Sequence, residues 1–236
     1  MNNMENRILK KVEYTAVNGG CNTSSERIIR ETALTIRVNN KHFTTAMIMA
    51  TMEKEFTIGH LFSQRIINGT DDIRSITIKD NTADVILCGT PRKVRENSVV
   101  DSQMIVRKED VFDCVRAILE SEIFDETEAV HSAGLFRNGS ETVCIAEDLG
   151  RHNALDKVIG YGLLNNINLG DMLAASTGRQ PSEMILKCLN AGIPIIATKG
   201  VPTTRAIELA NEVRISIAGL VRGSTMIVYS TPARIV

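Results

Sequence analysis

Three places in the second half of this sequence set a cation beside a glycine: Gly178-Arg179, Lys199-Gly200 and Arg222-Gly223. A glycine lets backbone approach a ligand closely, and the adjacent ammonium or guanidinium supplies charge, so the pairing suits an anion. Two of these segments run through Pro181 and Pro202 into helical patterns, whose starts offer unpaired N–H donors and the positive end of a helix dipole. Thr177, Ser182, Thr203 and Thr204 add hydroxyl donors. One such loop would be an ordinary solvated charge. Three at neighbouring strand ends point to a ligand site, with phosphate the natural partner and a nucleotide its carrier.

A second constellation is Glu147-Asp148-Leu149-Gly150-Arg151-His152-Asn153, with Asp156 and Lys157 one turn later. A capped, salt-bridged helix start, with Asp148 or Asn153 as cap, accounts for Asp156 and Lys157. It accounts less well for Arg151-His152, because positive charge is unfavourable at a helix N-terminus unless an anion lies there. Glu147, Asp148 and His152 are also the groups that could do acid–base work on a nucleotide. His131 stands alone in a strand pattern and reads as a hydrogen-bonded structural residue.

The elements that must carry these residues follow from periodicity. Residues 1–32 read as a flexible N-terminal segment with a short strand near Val12 to Val17. Ala33 to Val38 and Phe43 to Ala50 pair around Asn39-Asn40, since asparagine tolerates positive φ. Thr51 can cap a helix that Asn68-Gly69 closes. Ile73 to Ile78 and Ala83 to Cys88 form a hairpin around Asp80-Asn81, and Pro91 to Ser102 is irregular. Glu109 to Glu120 is helical.

From Val130 the order is strand, Asn138-Gly139 turn, strand over Glu141 to Ala146, and helix over Asn153 to Leu164. Strands over Met172 to Ser176, Pro194 to Ala197 and Ile215 to Leu220 then alternate with helices, and Met226 to Tyr229 closes the chain. Apolar strands separated by helices imply parallel pairing with right-handed crossovers. The expected class is α/β: a three-layer α/β/α core over 105–236, a smaller N-terminal α+β domain over 33–104, and the segment 1–32. In open parallel sheets ligands bind beyond the strands' carboxyl ends, where Arg179, Lys199 and Arg222 fall.

Composition narrows the function classes. The 236 residues carry a net charge of -1, which gives no electrostatic case for nucleic acid or a membrane surface. No apolar run approaches the roughly 20 residues needed to span a bilayer, and no signal-peptide pattern is present, so a cytoplasmic location is the default. The five cysteines (Cys21, Cys88, Cys114, Cys144 and Cys188) form no CxxC pair, so neither a disulfide framework nor a metal site is expected.

The element order is that of the cytidine-deaminase-like fold. Zinc deaminases need His or Cys two residues before Glu, and P-C-x-x-C. His152-Asn153-Ala154 lacks the Glu and Pro181-Ser182-Glu183-Met184 lacks both cysteines, so zinc deamination is not expected. No G-x-G-x-x-G marks a dinucleotide fold.

The stretch Ala146-Glu147-Asp148-Leu149-Gly150-Arg151-His152-Asn153-Ala154-Leu155-Asp156-Lys157 resembles the signature of the formate dehydrogenase accessory sulfurtransferase family (FdhD/NarQ). The similarity extends to Ala33 to Asn39, to Ile58-Gly59-His60-Leu61-Phe62-Ser63, and to Val130-His131-Ser132-Ala133. It continues in Ser176-Thr177-Gly178-Arg179 with Ser182-Glu183-Met184, in Ala191 to Ile195, and in Val221-Arg222-Gly223. The resemblance implies a cytidine-deaminase-like core, a homodimer, and binding of the molybdenum bis(molybdopterin guanine dinucleotide) cofactor. Its implied partners are a cysteine desulfurase, as sulfur donor, and formate dehydrogenase, which receives the sulfurated cofactor.

The family's cofactor stretch matches Leu220, Val221, Arg222, Gly223, Ser224 and Thr225. With Gly178, Arg179, Ser182, Lys199, Glu147, Asp148, Arg151, His152 and Asn153 these make the expected cofactor-binding set. The family's sulfur carrier, a C-G-x-C-G loop, has no counterpart: Arg95 to Lys108 contains no cysteine. Cys88 and Cys21 are the candidates to stand in for it. The alternatives are a nucleotide-acting hydrolase or transferase and a non-catalytic cofactor-binding chaperone.

Overall fold

Asparagine-rich turns and alternating strands build the first half. The computed structural model describes residues 5–17, 19–89 and 99–236. A short helix α1 (Glu5–Ile8) leads into β1 (Leu9–Val17) and β2 (Cys21–Ile29), an antiparallel pair. The segment over residues 1–32, expected as a flexible tail with a short strand near Val12 to Val17, thus forms paired strands over residues 9–17 and 21–29. Most of its side chains are exposed, so it lacks the buried alternation that marks a strand in sequence, and backbone pairing alone defines it. Ile8 and Leu9 anchor its base against Met49 and Val130.

β3 (Thr32–Val38) and β4 (Lys41–Ile48) turn at Asn39 and Asn40, both with positive φ (49° and 62°). Helix α2 (Glu53–Ser63) follows. Its cap position is Met52, with no side-chain cap, rather than the expected Thr51. The Thr51 hydroxyl is used elsewhere: it accepts from Lys157 Nζ at 3.2 Å. The helix also stops before Asn68-Gly69, where Arg65 turns left-handed at φ 58°. β5 (Ile73–Lys79) and β6 (Thr82–Leu87) complete a four-stranded sheet of order β4-β3-β6-β5.

α3 (Lys108–Ala117) precedes α4 (Glu122–Thr127), a helix without a period long enough to be read from sequence. Ser121 caps it, accepting from the Phe124 N–H at 2.9 Å. Then come β7 (His131–Arg137), β8 (Glu141–Asp148), α5 (Arg151–Leu164), β9 (Met172–Ser176) and α6 (Ser182–Ala191). β10 (Ile195–Thr198), α7 (Thr204–Glu212), β11 (Ser216–Arg222) and β12 (Thr225–Ser230) finish the chain.

The six-stranded sheet has order β12-β11-β10-β9-β7-β8, with β9, β10 and β11 parallel. Alternate residues of β9 divide between two cores. Leu173 and Ala175 meet α3, while Met172 and Ala174 join α5, α6 and α7. This is the expected three-layer α/β/α arrangement. The second core continues through α2, which packs on α5, into the N-terminal sheet. Among the described residues no helix is long and apolar enough to cross a membrane.

Candidate functional site

Parallel pairing carries the ends of β9, β10 and β11 to one edge of the sheet, with Ser176 opposite Thr198. The loops beyond them are tied together. Thr198 Oγ1 and Gln180 Nε2 both donate to the Gly178 carbonyl, at 2.7 and 3.0 Å. The Gln180 N–H donates to Val201 O and the Leu220 N–H to Gly200 O. Gly178 is buried beneath Arg151: a Cβ there would stand 2.6 Å from Arg151 Cδ. The first residue of α5 therefore lies across the β9 loop, uniting two predicted segments. Arg179, Lys199 and Arg222 are all exposed. In the closing stretch Val221 is buried in the α3-side core and Leu220 is half-buried, while Gly223, Ser224 and Thr225 are exposed.

Lys199 lines a pocket of about 390 Å³ with His131 and Thr177 on its polar side and Ile118, Phe124 and Leu149 on its apolar side. His131 Nδ1 lies 3.2 Å from Thr177 Oγ1, which also accepts from the Ser132 N–H at 3.1 Å. Burial, helped by the Arg151 charge, holds the His131 imidazolium below the ordinary histidine value.

Strand alternation sends Glu147 and Asp148 to opposite faces. The Glu147 carboxylate accepts from the Ser121 hydroxyl at the start of α4. Asp148 is fully buried and accepts from four donors: Met49 N–H (3.2 Å), Gly150 N–H (3.3 Å), Asn153 Nδ2 (2.8 Å) and Lys157 Nζ (2.7 Å). It is a clamp, closed to substrate. Asn153 also donates to Met47 O at 2.9 Å. The proposed acid–base trio of Glu147, Asp148 and His152 does not converge.

His152 turns away from Arg151 into a separate pocket with His60, Asp156 and Lys187. Its Nε2 lies 3.2 Å from Glu183 Oε2, out of line for a hydrogen bond. Burial, then Arg151 and Lys187, lower its pKa. Ser182, in the first turn of α6, is half-buried.

Both histidines thus resist protonation in the folded state, which fixes a pH dependence. The unfolded chain takes up protons near pH 6.5 while the folded one does not, so the unfolded state binds more protons just below that pH. Their contribution is complete above pH 6.5 and is lost as pH falls. The urea midpoint is expected to drop between pH 7.5 and 5.5, and His131→Gln combined with His152→Gln is expected to flatten that drop. An unchanged pH slope in the double variant would refute this origin.

Three buried polar atoms at the strand-end edge have no hydrogen-bond partner: Arg151 Nε, Ser176 Oγ and Gln180 Oε1. Buried polar groups are normally satisfied. An N–H donor, a hydroxyl and an amide oxygen, at the edge that bears the three exposed cations, suit an oxygen-rich anion that also carries N–H groups. No group of three or more metal-ligating side chains occurs among the described residues.

Burial pushes the Cys114, Cys144 and Cys188 thiols up to about 12, which leaves them inert at neutral pH. Cys21 and Cys88 are exposed, and neither lines the pocket at Lys199. Of the cysteine-free stretch Arg95 to Lys108, residues 95–98 lie outside the described residues, as do 91–98 of the expected irregular segment.

The sequence model of the FdhD/NarQ family matches residues 29–97 and 88–236. The sulfur carrier protein FdhD of Methanothermobacter thermautotrophicus is 30% identical over 230 residues, covering 89% of this chain and 92% of that protein. The sulfur carrier protein FdhD of Bacillus subtilis is 31% identical over 238 residues, covering 89% and 90%. The crystal structure of a putative formate dehydrogenase accessory protein from Desulfotalea psychrophila superposes with a TM-score of 0.85 at 28% identity, covering 97% of this chain and all of that one.

Proposed function

This chain belongs to the FdhD/NarQ family, and from that premise we propose that it is a formate dehydrogenase accessory protein that holds the dehydrogenase's molybdenum bis(molybdopterin guanine dinucleotide) cofactor at the strand-end edge. The observation that carries this reading is the set of unpartnered buried atoms on Arg151, Ser176 and Gln180 at the edge that bears three exposed cations. Phosphate oxygens would take the Arg151 N–H, and Arg179, Lys199 and Arg222 would balance the charge. The amide oxygen of Gln180 would accept from a guanine or pterin N–H. The apolar wall of Ile118, Phe124 and Leu149 would cover a planar ring. When bound, the cofactor brings the molybdenum centre that the client enzyme uses. This chain would bind it, shield it and release it to the dehydrogenase, acting as a homodimer in the cytoplasm.

Sulfur relay from a cysteine desulfurase would need Cys21 or Cys88, the exposed thiols. Neither lines the Lys199 pocket, which favours a cofactor-holding role over relay. The hydrolase or transferase reading is weakened by Asp148, whose carboxylate is sealed by four donors.

Calorimetric titration with GDP tests the proposal. Loss of one charge-assisted contact is worth about 1.5–3 kcal/mol, so Arg222→Ala and Lys199→Ala are each expected to weaken GDP by roughly tenfold or more. Equal affinity in both variants and the parent, or no GDP binding by the parent, would overturn it.

A further inference from the structure

The second pocket, between α2, α5 and α6, has a chemistry that cofactor holding does not use. It encloses about 400 Å³. Its floor is Asp156, 1 % exposed, whose two oxygens are already committed. Oδ1 accepts from Ser63 Oγ at 2.6 Å and from Lys187 Nζ at 2.5 Å, and Oδ2 lies 3.2 Å from His60 Nδ1. The His60 hydrogen bond leads, with Lys187 and Ser63, in holding this carboxyl below the usual carboxylate range despite its burial. An ionised carboxylate already holding a hydroxyl, an ammonium and an imidazole has little left to draw a cation from the pocket. It neutralises and aims the groups that surround it.

Those groups face outward with donors to spare. Lys187 is 8 % exposed and carries three N–H bonds, of which one goes to Asp156. The His60 ring is fixed between Phe56, stacked at 5.4 Å, and Phe43, edge-on at 6.3 Å. With Nδ1 turned to Asp156, its Nε2 is the remaining ring nitrogen. His152 contributes an Nε2 without a hydrogen bond, and the Gln64 and Asn153 amides line the same space. The one competing acid is Glu183, whose carboxylate is 73% exposed at the rim. Leu186 gives the mouth an apolar side.

From this convergence of Lys187, His60 and His152 around a spent carboxylate, we propose that the α2–α5–α6 pocket is a second anion site, which takes the oxyanion group of a small phosphorylated or carboxylated molecule. Two spare ammonium protons and two imidazole nitrogens surround the oxyanion, and the remainder of the molecule lies toward Leu186. The site stands apart from the strand-end edge, since it is lined by none of Arg179, Lys199 and Arg222.

Titration of the full, isotope-labelled chain with inorganic phosphate, and separately with acetate, at constant ionic strength tests this. The readout is the imidazole nitrogen resonances of His60 and His152. Saturable shifts of both are expected with at least one probe, and comparison of the two distinguishes a phosphate ligand from a carboxylate one. Lys187→Gln keeps a donor to Asp156 and removes the charge, and is expected to weaken binding roughly tenfold or more. If that variant does not fold, His60→Phe retains the aromatic packing, and the His152 resonance must then report a loss of several-fold. Arg222→Ala is expected to weaken GDP while leaving this titration unchanged, so the two sites fail separately. Non-saturating shifts, affinity that survives the variant that folds, or loss of the response in Arg222→Ala would each overturn the second site.

Discussion

Replacing Gly59 by alanine is expected to lower the unfolding free energy by about 3 kcal/mol, at the upper end of what overpacking costs. On helix propensity alone the sign would be opposite, because alanine is favoured over glycine in a helix interior by about 1 kcal/mol. The crossing of α2 and α5 decides between them. A Cβ on Gly59 would overlap the carbonyl oxygen of Asp156, and a Cβ on Gly160 would overlap that of Glu55. Both obstacles are backbone, so no rotamer change relieves them, and two helices must separate. Phe56, Ile58 and Leu61 on α2 and Leu155, Val158 and Ile159 on α5, all fully buried around the crossing, would lose contact. Urea denaturation of Gly59→Ala and Gly160→Ala gives the measurement. The double variant is expected to cost less than the sum, since the first Cβ already opens the gap. A stabilised Gly59→Ala would mean that the helices are not in backbone contact.

How much of this was legible in the sequence depends on how local each determinant is. The turns at Asn39-Asn40, Asp80-Asn81 and Asn138-Gly139 need positive φ at residues that tolerate it, and all six residues adopt it. Met172 to Ser176 is buried at every position, so an apolar run bounded by polar residues sufficed to find it. Of the β1–β2 hairpin only the strand near Val12 to Val17 was legible, because the hairpin's side chains mostly face solvent. Thr51 was a sound cap by local rules, yet the ammonium of Lys157, 106 residues away, takes its hydroxyl.

The site divides along the same line. The cations at the strand ends were visible as residue types, and parallel topology put them on one edge. Strand alternation separates Glu147 from Asp148 and could have been applied beforehand. The departure of His152 from Arg151 depends on which way the first turn of α5 faces. Adjacent helical side chains diverge by roughly 100°, so Arg151 covers Gly178 while His152 meets α2 and α6. That phase is set by tertiary packing at Gly59 and Gly160. The pocket of His60, Ser63, Asp156 and Lys187 draws on three helices, and no spacing within one segment announces it.

Lys157→Met is expected to cost about 3–5 kcal/mol, the usual penalty for breaking a buried ion pair from one side. Lys157 and Asp148 have no exposed side-chain surface. Burial lowers the lysine pKa and the Asp148 charge opposes that shift, so each ion is tolerable because the other is present. Lys157 Nζ also donates to Glu147 O at 2.8 Å, Met49 O at 3.1 Å and Thr51 Oγ1 at 3.2 Å. Its loss would strand one carboxylate and three neutral acceptors. Adding Asp148→Asn to Lys157→Met removes the stranded charge and is expected to recover part of the loss, which a simple packing defect would not do. The pair joins the segment between β4 and α2 to the start of α5, where Arg151 lies over Gly178. Lys157→Met is therefore expected to weaken GDP as well as stability, by freeing the first turn of α5. Equilibrium denaturation and GDP calorimetry on the same three proteins check both effects. A loss below about 1 kcal/mol, the range of an exposed pair, would show that water reaches Asp148 and that the clamp is not closed.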